Sequence, residues 1–424
     1  MLIACRLTRL PALLLAAICT LTARTTTMSA PARPLATELI IACYQAPPGE
    51  TLAGLKEAGF NLVRAAATRQ ALDEVAAAGL RAWTSPGPLD LSEQAAERTA
   101  KLKETVAALK DHPALLLWEG PDEPLYQIWG PGYFDRHLPP EAPARLELVA
   151  ECQAKAERLA QGLAAGHDLV RGLDPGRPLW INHAPRHPVA ALAAMAGAAD
   201  IHSFDFYPVP EDCGHSDLPN ENLSAVGDYV DRLEQAMGGK PVWAVLQGFS
   251  WTEIGIRDVR RQVVYPSFAQ SRFLAYDALL HGATGILYWG THTLRADSGC
   301  WQSLRALAAE LAALAPVLVA PDAGRPQVQV LSGWHSAALA ARAALRQVDG
   351  QPYLLLVNEE RYPLEVKVSG LAPLAGRELA VLYGGTQAVA ADGSFSAALA
   401  PYGVYVYAPS RERERVRPGR DFGG

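Results

Sequence analysis

Between about residue 39 and residue 316, short apolar runs alternate with amphipathic stretches. The runs are Glu38–Ala42, Asn61–Ala65, Arg81–Thr84, Ala114–Trp118, Leu179–Asn182, Ile201–Phe206, Val242–Leu246 and Gly285–Trp289. Each is brief, rich in Val, Ile, Leu or aromatic residues, and free of strict polar alternation, which is how a strand covered on both faces reads. Helical stretches follow them: Gln70–Ala78, Ser92–Lys110, Arg145–Ala165, Val189–Met195, Leu223–Met237, Ser267–Leu280 and Ser303–Leu314. Ser92 is placed to cap its helix, and Gly59 and Gly79 stand where helix-closing glycines belong. Eight such units predict an α/β fold, a (β/α)8 TIM barrel over residues 33–320. An open doubly wound sheet would carry a glycine-rich phosphate turn after its first strand, and Gln45-Ala46-Pro47-Pro48-Gly49-Glu50 has no such pattern.

Beyond residue 325 the pattern changes to strands separated by turns such as Asp349-Gly350 and Asp392-Gly393. Val328–Leu331, Tyr353–Val357, Leu364–Val368, Leu379–Tyr383 and Val404–Tyr407 predict a C-terminal all-β sandwich over 325–409, packed on the barrel as structural support. Residues 410–424 alternate in charge and read as a solvated tail. At the other end, Arg6 and Arg9 precede an apolar core, Leu13–Cys19, and small residues follow. That order predicts an export signal over 1–32 and a secreted or periplasmic protein, the alternative being translation from Met28.

The chain has 424 residues, 50% of them hydrophobic, and a net charge of −6. This composition excludes a disordered chain, and the missing basic field argues against nucleic acid as a partner. No later stretch has the roughly 20 unbroken apolar residues of a membrane span. Cys43, Cys152, Cys213 and Cys300 lack C-x-x-C spacing, so no metal site is expected; a Cys213–Cys300 bridge and four free thiols are both open. No cofactor motif occurs, and the oligomeric state is not fixed.

Barrel chemistry gathers at the C-terminal strand ends. There the chain offers Arg64; Glu119, Asp122 and Glu123; Asn182, His183 and Arg186; Asp205 and Tyr207; Gln247, Trp251 and Glu253; and Trp289, Thr291 and His292. Trp118, Tyr126, Trp129, Tyr288 and Trp301 add aromatic surface to the expected site. Carboxyl groups, amides and aromatic faces together suit a sugar: rings stack, polar forks hold hydroxyls, and acids move protons. The sharpest element is Trp118-Glu119-Gly120-Pro121-Asp122-Glu123-Pro124, in which a neighbour's charge can keep one carboxyl protonated as a general acid.

With these residues the chain resembles the superfamily of (β/α)8-barrel glycoside hydrolases that includes cellulases and β-galactosidases. In that clan an Asn-Glu pair ends the fourth strand and its Glu is the acid/base. Asp122-Glu123-Pro124 matches it, which implies Glu123 as acid and Asp122 in place of the amide. Arg64 resembles the clan's second-strand arginine, and Tyr288-Trp289 the aromatic end of its eighth strand. The resemblance implies hydrolysis of an O-glycosidic bond in an oligo- or polysaccharide. The strand-end positions predict sugar contacts from Arg64, Asn182, Tyr207, Gln247, Trp251, Trp289 and His292. One departure matters: Gln247 stands where the clan has a nucleophilic Glu, and an amide cannot form the covalent intermediate. Four explanations are open. Asp205 or Glu253 serves as the second group, with water between the carboxyls. The substrate's acetamido group attacks, oriented by Asp122, as in β-N-acetylhexosaminidases, whose Asp-Glu pair Asp122-Glu123 also resembles. Glu119 is the acid. Or the barrel binds carbohydrate without cleaving it.

Overall fold

The computed structural model describes residues 38–129, 141–184, 186–213, 215–255, 262–331 and 340–409. The expected export signal and charged tail lie outside the described residues. Among the described residues no helix is long and apolar enough to cross a membrane.

Eight parallel strands close a barrel in sequence order: β1 (Ile40–Cys43), β2 (Leu62–Arg64), β3 (Arg81–Thr84), β4 (Leu115–Glu119), β5 (Leu179–His183), β6 (Ile201–Phe206), β7 (Val242–Gln247) and β8 (Gly285–Trp289). All eight expected runs are strands, and closure pairs Ile40 with Gly285 and Ala42 with Leu287. Around them lie α1 (Leu52–Glu57), α2 (Arg69–Ala77), α3 (Ala95–Leu109), α4 (Tyr126–Trp129), α5 (Pro143–Leu173), α6 (Val189–Ala194), α7 (Ala225–Met237), α8 (Phe268–Leu280) and α9 (Gly299–Leu318). Ser267 caps α8 in a full capping box with Gln270. Ser92 does not cap α3: its hydroxyl bonds Asp90 instead, and Gln94 precedes the helix in the left-handed region.

The two-residue period of the strands sorts side chains into two cores. Inward go Ile40, Ala42, Leu62, Trp83, Leu117, Trp180, Ile201, Trp243, Val245 and Leu287. Outward, under the helices, go Ile41, Val63, Trp118, Ile181, Phe204, Leu246 and Ile286 among others. The inner core is aromatic. Trp83 and Trp180 meet edge to face with centroids 5.5 Å apart, and Trp180 packs on Trp243 at 5.7 Å. Trp243 fits because its neighbour on β8 is glycine: a Cβ on Gly285 would lie 2.7–2.9 Å from the indole ring. Gly285→Ala is therefore expected to lose about 1–3 kcal/mol of stability by overpacking; an unchanged denaturation midpoint would show that Trp243 moves aside freely.

The C-terminal unit has a three-stranded sheet, β10 (Gln327–Val330), β13 (Leu364–Ser369) and β16 (Phe395–Leu399), in that order. Its six-stranded sheet runs β15 (Thr386–Ala388), β14 (Glu378–Val381), β17 (Val404–Pro409), β12 (Gln351–Asn358), β11 (Ala341–Val348) and β9 (Asp322–Gly324). β12 is buried on both sides: Leu354 and Leu356 enter the sandwich core, while Tyr353, Leu355 and Val357 join the barrel's outer core. Sandwich and barrel thus share a buried seam. Arg272 on α8 lies at this seam, donating through Nε to Glu310 at 2.8 Å and through Nη1 to the Val404 carbonyl at 2.8 Å. This explains why every residue from Ser271 to Leu279 is buried.

Candidate active site

The period that buries Leu62, Leu117, Trp180, Ser203, Val245 and Leu287 inside the barrel aims the residue two places on at its open end. Those residues are Arg64, Glu119, Asn182, Asp205, Gln247 and Trp289. Strand pairing agrees, with Glu119 beside Trp180, Asn182 beside Ser203, Asp205 beside Val245 and Gln247 beside Trp289.

Glu123 lies just past β4, half-buried, with its backbone in the left-handed region at φ 42°. That conformation is costly for a residue with a Cβ and persists where surroundings enforce it. The Glu123 amide donates to the Asn182 carbonyl at 3.0 Å, and the Glu123 carbonyl accepts from the Tyr126 amide at 2.8 Å. The side chain lies within hydrogen-bonding reach of Asp205, a contact that favours the proton on Asp205 and the charge on Glu123. Asp205 is 5% exposed, and its Oδ1 has no hydrogen-bond partner among the described residues. Burial, then the charge of Glu123, pushes the Asp205 carboxyl well above the usual range. Burial also raises Glu123, opposed by the hydrogen bond to Asp205 and by Arg186, and reinforced by Asp122. Two carboxyls this close cannot both ionise cheaply, so each makes the other harder to deprotonate, Asp205 above all.

Asp122 is exposed but fixed. Trp180 Nε1 donates to Ser203 Oγ at 2.8 Å, Ser203 to Asn182 Oδ1 at 2.8 Å, and Asn182 Nδ2 to Asp122 Oδ1 at 3.0 Å. Asn182 is thus a second-layer anchor that reaches the site through Asp122. Glu119 is 6% exposed and tied to Arg64, whose Nε donates to it at 2.8 Å. Burial raises its pKa and the Arg64 charge opposes this. Glu253 lies exposed, accepting from the hydroxyls of Tyr265 and Thr293.

Near the acids lies an aromatic cluster: Tyr207 and Phe249 are buried, and Trp251 and Trp289 are partly exposed. Tyr207 stacks on Trp289 with centroids 5.6 Å apart at 20°, and Phe249 meets Trp289 edge-on at 5.1 Å. Trp251 packs on Phe249 at 5.3 Å, and exposed His292 lies at the edge of Trp289 at 6.0 Å. Gly290, at φ 81°, admits Phe249, whose ring atoms would lie 2.4–2.7 Å from any Cβ there. His215 packs on Tyr207 and Trp251, and burial lowers its pKa to about 3, so it is neutral.

Two expectations need correction. Gln247 is no sugar ligand: its Oε1 accepts from the Val209 amide at 2.9 Å, and its Nε2 donates to the carbonyls of Val209 and Phe249 at 2.8 and 3.0 Å. It clamps two loops and is 1% exposed. Trp118, Trp129, Tyr288 and Trp301 do not converge on the mouth; they pack in the outer core, Trp118 donating to Asp174 at 3.0 Å. Of the two open readings of the cysteines, the structure has the free thiols: Cys43, Cys152, Cys213 and Cys300 are all unbridged. Two groups escaped the sequence reading. Tyr44 follows β1, packs edge-on against Trp83 at 5.3 Å, and feels the charges of Asp122, Glu119 and Asp205. His215 lies in a loop with no periodicity to mark it.

No known family profile matches the chain, and no curated protein matches it. Solved structures do. A glycoside hydrolase family 5 protein from Bacteroides vulgatus ATCC 8482 has TM-score 0.54 at 13% identity over 90% of this chain and 91% of that one. A GH42 β-galactosidase from G. stearothermophilus has TM-score 0.55 at 10% identity over 88% and 98%. The β-galactosidase of the psychrophilic Marinomonas ef1 has TM-score 0.47 at 15% identity over 65% of this chain, which spans 60% of that chain's length. The chain therefore has the fold of (β/α)8-barrel glycoside hydrolases, with a C-terminal β-sandwich.

Proposed function

We propose that the chain is an exported glycoside hydrolase that cleaves an O-glycosidic bond of an oligo- or polysaccharide, with Glu123 protonating the leaving oxygen. The observation that carries this reading is the paired Glu123 and Asp205 carboxyls at the barrel mouth, both raised by burial, with Tyr207 of the Tyr207–Trp289 stack close enough to feel their charges. Burial and the charge of Asp122 favour a proton on the pair, and the aromatic cluster offers a sugar ring its apolar face.

The second catalytic group is narrowed by contact. An inverting pair needs carboxyls roughly 6.5–9.5 Å apart with water between, and a retaining pair about 5–5.5 Å. Glu123 and Asp205 lie within hydrogen-bonding reach, closer than either spacing, and on this reading Asp205 acts on Glu123 rather than on water. Glu119 is neutralised by Arg64, and Gln247 faces backbone. Asp122 is the remaining carboxylate beside the acid, fixed by Asn182. This supports the substrate-assisted reading, in which Asp122 orients an acetamido group whose oxygen attacks the anomeric carbon. Chromogenic N-acetylhexosaminides should then turn over at least about tenfold faster than the matching plain glycosides; equal rates would remove the acetamido role.

A second reading, a barrel that binds carbohydrate without cleaving it, is favoured by the amide at the end of β7. Binding of oligosaccharides with no turnover across a glycoside panel would select it.

The pH profile follows from the acid. Catalysis needs a protonated carboxyl, and the pKa of Glu123 is raised. Activity is present below that raised value and is lost as pH rises through it, so the alkaline limb of kcat/KM should lie above the ordinary glutamate value of about 4.3. A limb at or below that value would oppose the assignment.

A further inference from the structure

At the seam between barrel and sandwich, on the side away from the mouth, three ligand-type side chains meet. Asp277 and His281 stand four residues apart on one face at the C-terminal end of α8, and Glu359 directly follows β12. Their ligand atoms all lie within 4.8 Å of one another. His281 Nε2 is 3.1 Å from Glu359 Oε1 and 3.9 Å from Asp277 Oδ1. Metal–ligand arms of about 2.0–2.2 Å in tetrahedral geometry place ligand atoms roughly 3.3–3.6 Å apart, which these separations bracket.

Asp277 gives the independent sign of a ligand. It is 0% exposed, and neither carboxylate oxygen has a hydrogen-bond partner among the described residues. An ionised carboxylate is not left bare in an apolar interior unless a cation or a proton fills the space. The histidine is also arranged as a ligand: its Nδ1 lies 2.9 Å from Asp231 Oδ1, though off the line of a well-aligned hydrogen bond. A carboxylate behind the imidazole is the usual support of a metal-bound histidine. Space for the ring is reserved by Gly227 on α7, where a Cβ would fall 2.2 Å from His281 Nε2. Arg342 Nε, 3.1 Å from Glu359 Oε1, flanks the cluster and offsets one of its two negative charges.

We propose that Asp277, His281 and Glu359 bind a first-row divalent cation that staples α8 of the barrel to the sandwich. One imidazole and two carboxylates suit zinc or manganese better than calcium or magnesium, which prefer all-oxygen shells. The spacing Asp-x-x-x-His on a helix is the sequence trace of the site, but its third member comes from another domain.

The test uses the full chain, stripped with a chelator, dialysed, and titrated with zinc chloride or manganese chloride alone, with binding followed calorimetrically and unfolding thermally. The expected result is one saturable equivalent of either metal and a melting temperature that rises with metal concentration. Asp277→Asn, nearly isosteric, should weaken binding by about 100-fold or more and abolish the metal-dependent rise. Glu359→Gln is the parallel variant should Asp277→Asn fail to fold. The proposal is overturned if neither metal binds saturably, or if binding and melting rise persist in the folded variant. In that event a proton occupies the space beside Asp277.

Discussion

Glu123→Gln lowers kcat on the best substrate by about 10²–10⁴-fold while leaving circular dichroism and melting close to the parent, because general-acid assistance is worth that much and the change preserves shape. The variant keeps the backbone bonds to Asn182 and Tyr126 that hold residue 123 in its left-handed conformation. It also keeps a polar partner for Asp205. On the proposed mechanism, it removes the carboxyl proton that a departing alkoxide needs. Sugar binding to the Tyr207–Trp289 stack should change little, so the loss falls in kcat rather than KM. Full turnover in the variant would remove Glu123 from the mechanism.

Gln247→Glu is expected not to create a nucleophile at the end of the seventh strand but to destabilise the protein by about 3–5 kcal/mol. The amide is 1% exposed, and its Nε2 hydrogens satisfy the carbonyls of Val209 and Phe249. A carboxylate has no hydrogen to give either carbonyl. It would be a buried charge facing two unpaired acceptors, and it would repel the Val209 and Phe249 oxygens. Denaturant unfolding and glycosidase assays decide the matter: a stable variant with a gain in turnover would show that position 247 opens into the cleft.

The Gln247 result illustrates how far the chain could be read in advance. Its position at a strand end on the inward phase was legible from Val245 and Trp243 two and four places before it. Its partners were not, since Val209 belongs to another loop. The same divide runs through the sandwich. Alternating β13 was readable, whereas β11, Ala-Arg-Ala-Ala-Leu-Arg-Gln-Val, is rich in helix formers and becomes a strand by pairing with β12 across the Asp349-Gly350 turn. The tryptophans divide likewise: Trp118 and Glu119 are neighbours in sequence, yet strand phase sends one under the helices and the other into the mouth.

Local order along the chain was enough to determine the eight strands, their closure into a barrel, the sandwich after them, and the carboxyl groups carried at the strand ends. These follow from short-range periodicity, in which each strand's own residues decide which face is buried. Only the tertiary structure decided that Glu123 lies beside Asp205, that Gln247 turns to backbone, and that Asp277, His281 and Glu359 meet across the seam. Contact between residues far apart in the chain depends on register, loop path and domain docking, and no local pattern encodes these.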